Sequence, residues 1–339
     1  MWPLVYDAYY CLKADQKVMS RHIVVNILIS AAVMLFFGGP LFLPGADLYL
    51  LVFGLACFYA TLALAWNIFA LSGLLSLGHA AFFGLGAYGA VLLENWGHWP
   101  TYPAIMAGGA LGMVYGCLWS LAFQRLRGAY FALASLAAME IPRVVIDNWE
   151  TLTSGSLGIV GISRLPSLSI GSLVIPVGDN LQSQYCFLFF LMAAVGLLHW
   201  RAMRSKWGWG LRAIRGDEEA AEVLGVNVFG YRCLALCLSS YITGVCGGVY
   251  AHLVGLIEPA MVFNLQLAAF PLVLSLFGGR YAVLGPIIGA LTLYPLDQLV
   301  LQPWLPQGHA AIYGLVIILT IFFFPRGLAS WFSRLPKNS

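Results

Sequence analysis

The stretch YLLVFGLACFYATLALAWNIFAL, residues 49–71, runs for 23 residues without an Asp, Glu, Lys or Arg. At 1.5 Å of rise per residue, a helix of that length reaches about 35 Å. About 20 mostly apolar residues suffice to cross the hydrocarbon core of a bilayer. This segment therefore reads as a membrane-spanning helix, and it sets the terms for the rest of the chain.

Working outward, nine further apolar runs lie near 23–39, 74–94, 103–124, 128–148, 183–200, 231–256, 266–277, 283–301 and 309–324. The run 266–277 is too short to span alone, at about 18 Å. The run 74–94 opens on Gly, Ser and His and can be read as re-entrant. The expected fold is an all-α polytopic membrane helix bundle with about 8–10 transmembrane helices. Composition agrees. Apolar residues make up 61% of the 339, and charged residues 9%, against about 25% charged in soluble domains. So few charges cannot cover a water-facing surface. They also leave no wide basic face for nucleic acid, although the net charge is +3.

Apart from Arg164, which lies in the long loop 149–182, the basic residues fall in short loops on one side. Lys13, Lys17 and Arg21 precede the first run, Arg125 and Arg127 follow the fourth, and six of the 17 Lys and Arg lie between Arg201 and Arg232. Arg280, Arg326, Arg334 and Lys337 keep to that side, while Asp47, Trp96, Trp99, Asp179, Glu258 and Trp304 lie on the other. Lys and Arg mark the cytoplasmic side. The expected arrangement is a bacterial inner-membrane protein with both termini cytoplasmic: a segment 1–22, a transmembrane domain 23–326 and a tail 327–339. Within the domain, 149–182 is a periplasmic loop and 201–230 a cytoplasmic one.

Glycine occurs 37 times and clusters in the spans, with GxxxG spacing at Gly244/Gly248 and Gly285/Gly289. Lipid tails are as apolar as Leu, so helices associate by close approach at small residues. The seven cysteines include no CxxC pair and read as small core residues rather than metal ligands.

Charge inside a span needs a reason. Glu140, Arg143 and Asp147 stand at i, i+3 and i, i+4 spacing, so one helix face can carry all three as mutually neutralising partners. They form either an orienting ion ladder or a polar wall on a translocation path. Pro142 between them suggests a kink. His79 follows a polar run and, with Asn67 and Tyr88, is either a satisfied core group or a pathway residue. No GxSxG, HExxH or phosphate-binding Gly-Lys-Ser/Thr loop occurs, so catalysis and nucleotide binding by this chain are not expected.

The cytoplasmic loop carries Arg212 and Arg215, then Asp217, Glu218, Glu219 and Glu222. Leu211, Ile214 and Leu224 supply an apolar side, and Gly225 supplies a helix stop. Its acidic cluster would be repelled by anionic lipid, which favours a protein partner over the membrane surface.

The segment GLRAIRGDEEAAEVLGVN, residues 210–227, resembles the coupling segment of ABC importer permeases, most of all the LivM-type permease of branched-chain amino acid importers. LSGLLSLGHAAFFGLGAY (71–88), RGAYFALASLAAMEIPRVVIDNWETLTSGSLGIVGI (127–162), FGGRYAVLGPIIGA (277–290) and Pro325–Leu328 resemble further segments of that family in the same order. Arg280-Tyr281, the first 20 residues and 258–274 depart from its pattern. The resemblance implies a LivH-like second permease, two cytoplasmic ATPase subunits that bind ATP and magnesium, and a periplasmic substrate-binding protein, with no cofactor in this chain. It also implies motor contact through Arg212, Arg215, Asp217, Glu218, Ala221 and Gly225, and branched-chain or other hydrophobic amino acids as substrates. A urea or short-amide permease of the same family is the near alternative. An ion-coupled carrier using Glu140, Asp147 and His79, or a non-transporting scaffold, is the distant one.

Overall fold

The computed structural model describes residues 47–170, 173–279, 284–304 and 314–315. The runs expected at 23–39 and 309–324, apart from 314–315, lie outside the described residues. So do the segments 1–22 and 327–339 and the pair Arg280-Tyr281. The chain divides into two compact units, Met1–Leu51 and Val52–Ser339. The described part of the first is the opening of helix α1, and the helix bundle belongs to the second.

The helices are α1 Asp47–Ala70, α2 His79–Gly97, α3 Thr101–Ala122, α4 Gly128–Asn148, α5 Leu181–Arg204, α6 Lys206–Gly216, α7 Glu218–Val223, α8 Val228–Val254, α9 Leu265–Gly278 and α10 Gly285–Leu296. Six helical stretches among the described residues are long and apolar enough to cross a membrane: α1, α3, α4, α5, α8 and Pro259–Gly278. The chain is an all-α polytopic membrane bundle.

Most of the run 74–94 falls in a 19-residue helix, α2, about 28 Å long. Only its lead-in, 71–78, is irregular. α2 is enclosed by α3 and α8, and glycine makes that possible. A Cβ on Gly86 would strike the Gly244 carbonyl. One on Gly244 would lie 2.9 Å from the Gly109 Cα, and one on Gly112 3.0 Å from the Ser240 carbonyl oxygen. The three helices thus meet backbone to backbone, as packing in lipid requires. The Gly244/Gly248 pair sits on this interface. The Gly285/Gly289 pair turns instead onto α9, against the carbonyls of Gly279 and Leu274. α4 runs unbroken through Pro142.

Two apolar runs are broken rather than straight. α9 is 14 residues long and follows a short turn, Pro259–Val262, with the chain extended at Asn264. α10 loosens after Pro295 into a π turn, Asp297–Leu301, before Gln302–Trp304.

The long loop after α4 contains short strands, which its composition did not foretell. β1 (Ile159–Val160) pairs antiparallel with β4 (Leu256–Ile257), and β2 (Leu168–Ile170) forms a hairpin with β3 (Leu173–Ile175). A polar knot lies beside them. Glu94 accepts hydrogen bonds from Ser163 (2.6 Å) and Thr101 (3.2 Å), and the His252 Nδ1–H donates to the Ser163 carbonyl (2.9 Å). The knot ties α2, α3, α8 and the loop together at one end of the bundle. The 205–227 loop lies at the other.

Candidate functional site

The 205–227 loop is built as a rigid hook. Ser205 caps α6, its hydroxyl accepting from the Gly208 N–H (3.3 Å). Leu211 and Ile214 bury one face of α6, while Trp209 stays outside with the Arg212 guanidinium stacked 4.1 Å above its ring. Arg212 also donates to the Met203 carbonyl (2.7 Å), which ties α6 to the end of α5. Gly73 has φ +89°, a conformation that favours glycine, and a Cβ there would lie 3.3 Å from the Arg215 side chain. The 71–73 turn is therefore the seat of α6.

Asp217 caps α7 by accepting from the Ala220 N–H (3.0 Å). Glu218 takes two hydrogen bonds from Arg232 (2.8 and 2.9 Å), and Arg127 lies 3.6 Å from it. The Arg232 hydrogen bonds hold the Glu218 carboxyl below the usual carboxylate range, against the opposing effect of partial burial. Ala221 packs with Ile214 and Val228. Gly225 has φ +82°. Around it, the Val226 N–H bonds the Ala221 carbonyl (3.0 Å) and the Gly225 N–H bonds the Glu222 carbonyl (2.9 Å). A left-handed residue of this kind is how helices commonly stop. Asn227 then caps α8 by accepting from Gly230 (2.9 Å).

The loop thus divides its residues differently from the expectation. Of the residues expected on the contact face, Glu218 and Ala221 turn their side chains inward, whereas Asp217 caps α7 from an exposed position. Leu224, expected on the apolar inner side, is 82% exposed, and its neighbour Val223 is 87% exposed. Two bare aliphatic residues stand at the tip of an internally braced element. The signal available beforehand was their place directly before Gly225, where the helix stripe ends.

The expected pathway residues occupy several settings. His79 is buried with both nitrogens engaged. Ser239 donates to the Ala65 carbonyl (2.6 Å), so the ring Nε2–H donates to Ser239 (2.8 Å) and Nδ1 accepts from Ser76 (3.0 Å). That is a neutral imidazole clasping α2 to α8. Asn67 is fully buried, with no partner for either amide atom among the described residues. Tyr88 lies about 13 Å further along α2 than His79, stacked on Phe263 at 6.3 Å. Glu140, Arg143 and Asp147 form an ion ladder on the part-exposed face of α4, at 3.2 and 3.8 Å. One grouping escaped the sequence reading. The thiols of Cys117, Cys233 and Cys237 lie within 4.8 Å of one another across α3 and α8, by type a soft-metal ligand set.

Comparison with known proteins places these observations. The family model described as branched-chain amino acid transport system / permease component matches residues 48–323. The high-affinity branched-chain amino acid transport system permease protein LivM of Escherichia coli (strain K12) is 27% identical over 81% of this chain and 68% of its own length. The corresponding LivH protein of Salmonella typhimurium is 22% identical over 80% of this chain and 90% of its own length. The nucleoside ABC transporter permease protein NupC of Lactococcus lactis is 25% identical over 53% of this chain and 59% of its own length. No solved structure matches.

Proposed function

The chain belongs to the family of branched-chain amino acid transport permease components, and we propose that it is the membrane subunit of an ATP-driven importer for branched-chain or other hydrophobic amino acids. The observation that carries this reading is the hook: a short helix braced from within, with Val223 and Leu224 bare at its tip. A motor must push on something stiff, and an exposed apolar tip held by internal ion pairs suits docking into a protein cleft. In this reading two cytoplasmic ATPase subunits bind ATP and magnesium and receive the hook. A LivH-like second permease completes the passage, and a periplasmic binding protein delivers the solute. The basic loops then face the cytoplasm of a bacterial inner membrane, as do both termini.

Among substrates, the LivM and LivH relatives favour amino acids over nucleosides, urea and short amides.

The test is uptake of radiolabelled leucine and valine by vesicles holding the assembled importer. Val223→Asp with Leu224→Asp is expected to abolish ATP-dependent uptake while the chain still inserts. Undiminished uptake in that variant, or uptake by the wild type driven by a proton gradient without ATP, would overturn the reading.

A further inference from the structure

The charges around the hook come in two blocks. Between Asn180 and Asp217 the chain has five Lys and Arg and no Asp or Glu; the acids begin at Asp217 and belong to α7 and its cap. The basic block straddles the join of α5 and α6. A cavity of about 510 Å³ opens there, lined by Trp200, Met203, Arg204, Trp209 and Arg212. The Arg204 guanidinium lies 4.2 Å above the Trp200 ring, and that of Arg212 4.1 Å above Trp209. Arg212 is the fixed wall, since it also donates to the Gly208 and Met203 carbonyls (3.2 and 2.7 Å). Arg204 is exposed, as are Arg201 and Lys206. Among the described residues no carboxylate pairs with any of these three.

Three observations converge on this place. First, depth: α5 has 24 residues, about 36 Å of helix, against a hydrocarbon core of about 30 Å. Its last turn, with Arg201 and Arg204, therefore stands at headgroup level, where Trp is enriched. Second, surface: Phe190, Leu197, Trp200 and Arg204 follow one another at intervals of seven, three and four residues, so they share one face of α5. Phe190, Leu197 and Trp200 are exposed along it. The apolar stripe thus ends in the cationic cavity. Third, charge: four basic side chains within 12 residues, placed directly after a spanning helix, attract anionic lipid.

We propose that the α5–α6 join is a binding site for an anionic phospholipid. Arg204, with Arg201 and Lys206 beside it, receives the phosphate, which guanidinium groups recognise by charge-assisted hydrogen bonds. Trp200 and Trp209 hold the two stacked guanidiniums in place, and an acyl chain follows Leu197 and Phe190 along α5. A free phosphate would use the cations alone; only a lipid uses the stripe as well. The lipid pins the base of the hook to the bilayer surface, while the acidic α7, which such a lipid repels, stays free for a protein.

The experiment uses the assembled importer in phosphatidylcholine vesicles, with a photoreactive phosphatidylglycerol added below saturation and the labelled peptides read by mass spectrometry. Phosphatidylglycerol is expected to label the stretch 190–209, and a photoreactive phosphatidylcholine with the same acyl chains to label it far less. Arg204→Gln is expected to lower labelling by phosphatidylglycerol about fivefold, as loss of one cation near an anionic surface does. Adding Arg201→Gln and Lys206→Gln should bring it to the phosphatidylcholine level. Excess inorganic phosphate is not expected to compete. The comparison of the two lipids on the wild type does not depend on any variant. Equal labelling by both lipids, undiminished labelling in the triple variant, or no labelling of this stretch in the assembled importer overturns the site. Displacement by inorganic phosphate overturns the lipid assignment.

Discussion

Replacing Glu218 with Gln tests whether the hook works as a stiff part. The substitution keeps the shape of the side chain and removes its charge. The wild-type pair has two short hydrogen bonds, with the Arg232 and Glu218 side chains 13% and 19% exposed. Breaking a fully buried pair costs about 3–5 kcal/mol, and breaking an exposed one about 1 kcal/mol or less. At this intermediate burial, about 2 kcal/mol is the working value. That raises the undocked population of α7 about 30-fold. Hydrogen exchange at the amides of Leu224, Gly225 and Val226, which bond back onto α7, is expected to quicken by the same factor if local opening governs it. ATP hydrolysis should then continue while leucine uptake falls. Acid acts in the same direction. Because the carboxyl is held below its usual range, the stabilisation is complete at neutral pH and disappears only as pH falls through that depressed value. Exchange rates at those amides within threefold of wild type, together with full uptake, would refute the reasoning.

Gly225→Pro cannot adopt φ +82° and should uncouple hydrolysis from uptake, whereas Gly225→Asn should nearly preserve both; parallel uptake and ATPase assays decide. Gly86→Ala should sharply lower the yield of folded protein in detergent, because its Cβ meets the Gly244 carbonyl. Gly216→Ala, with nothing within 4 Å, should not. Ser239→Ala strands the His79 Nε2–H and should destabilise the bundle by about 1–3 kcal/mol; adding His79→Leu should recover part of that loss in an unfolding titration. Glu140→Ala should lower folding yield more than it changes the KM for leucine, since Glu140 is held by Arg143 (3.2 Å) on the same helix; normal yield with lost uptake would move Glu140 onto the pathway.

The membrane solvent, the helices and the place of the hook were legible in the sequence alone. Each depends on a local property: an uncharged run the length of a bilayer, a glycine after an acidic turn, a cluster of arginines beside it. The ladder Glu140–Arg143–Asp147 was legible for the same reason, since helix periodicity puts those residues on one face. The broken helices were not, because an apolar run looks alike whether it continues or turns at Asn264. Which polar groups meet was not legible either. His79 finds Ser239 across α2 and α8, Glu94 finds Ser163, and Tyr59 shares a cavity with Asp297, more than 200 residues further along the chain. Those meetings are set by how closely helices approach, and here glycine backbones at Gly86, Gly109 and Gly244 decide that distance. Spacing along a helix is a property of one segment. Spacing between helices belongs to pairs, and only the folded bundle defines them.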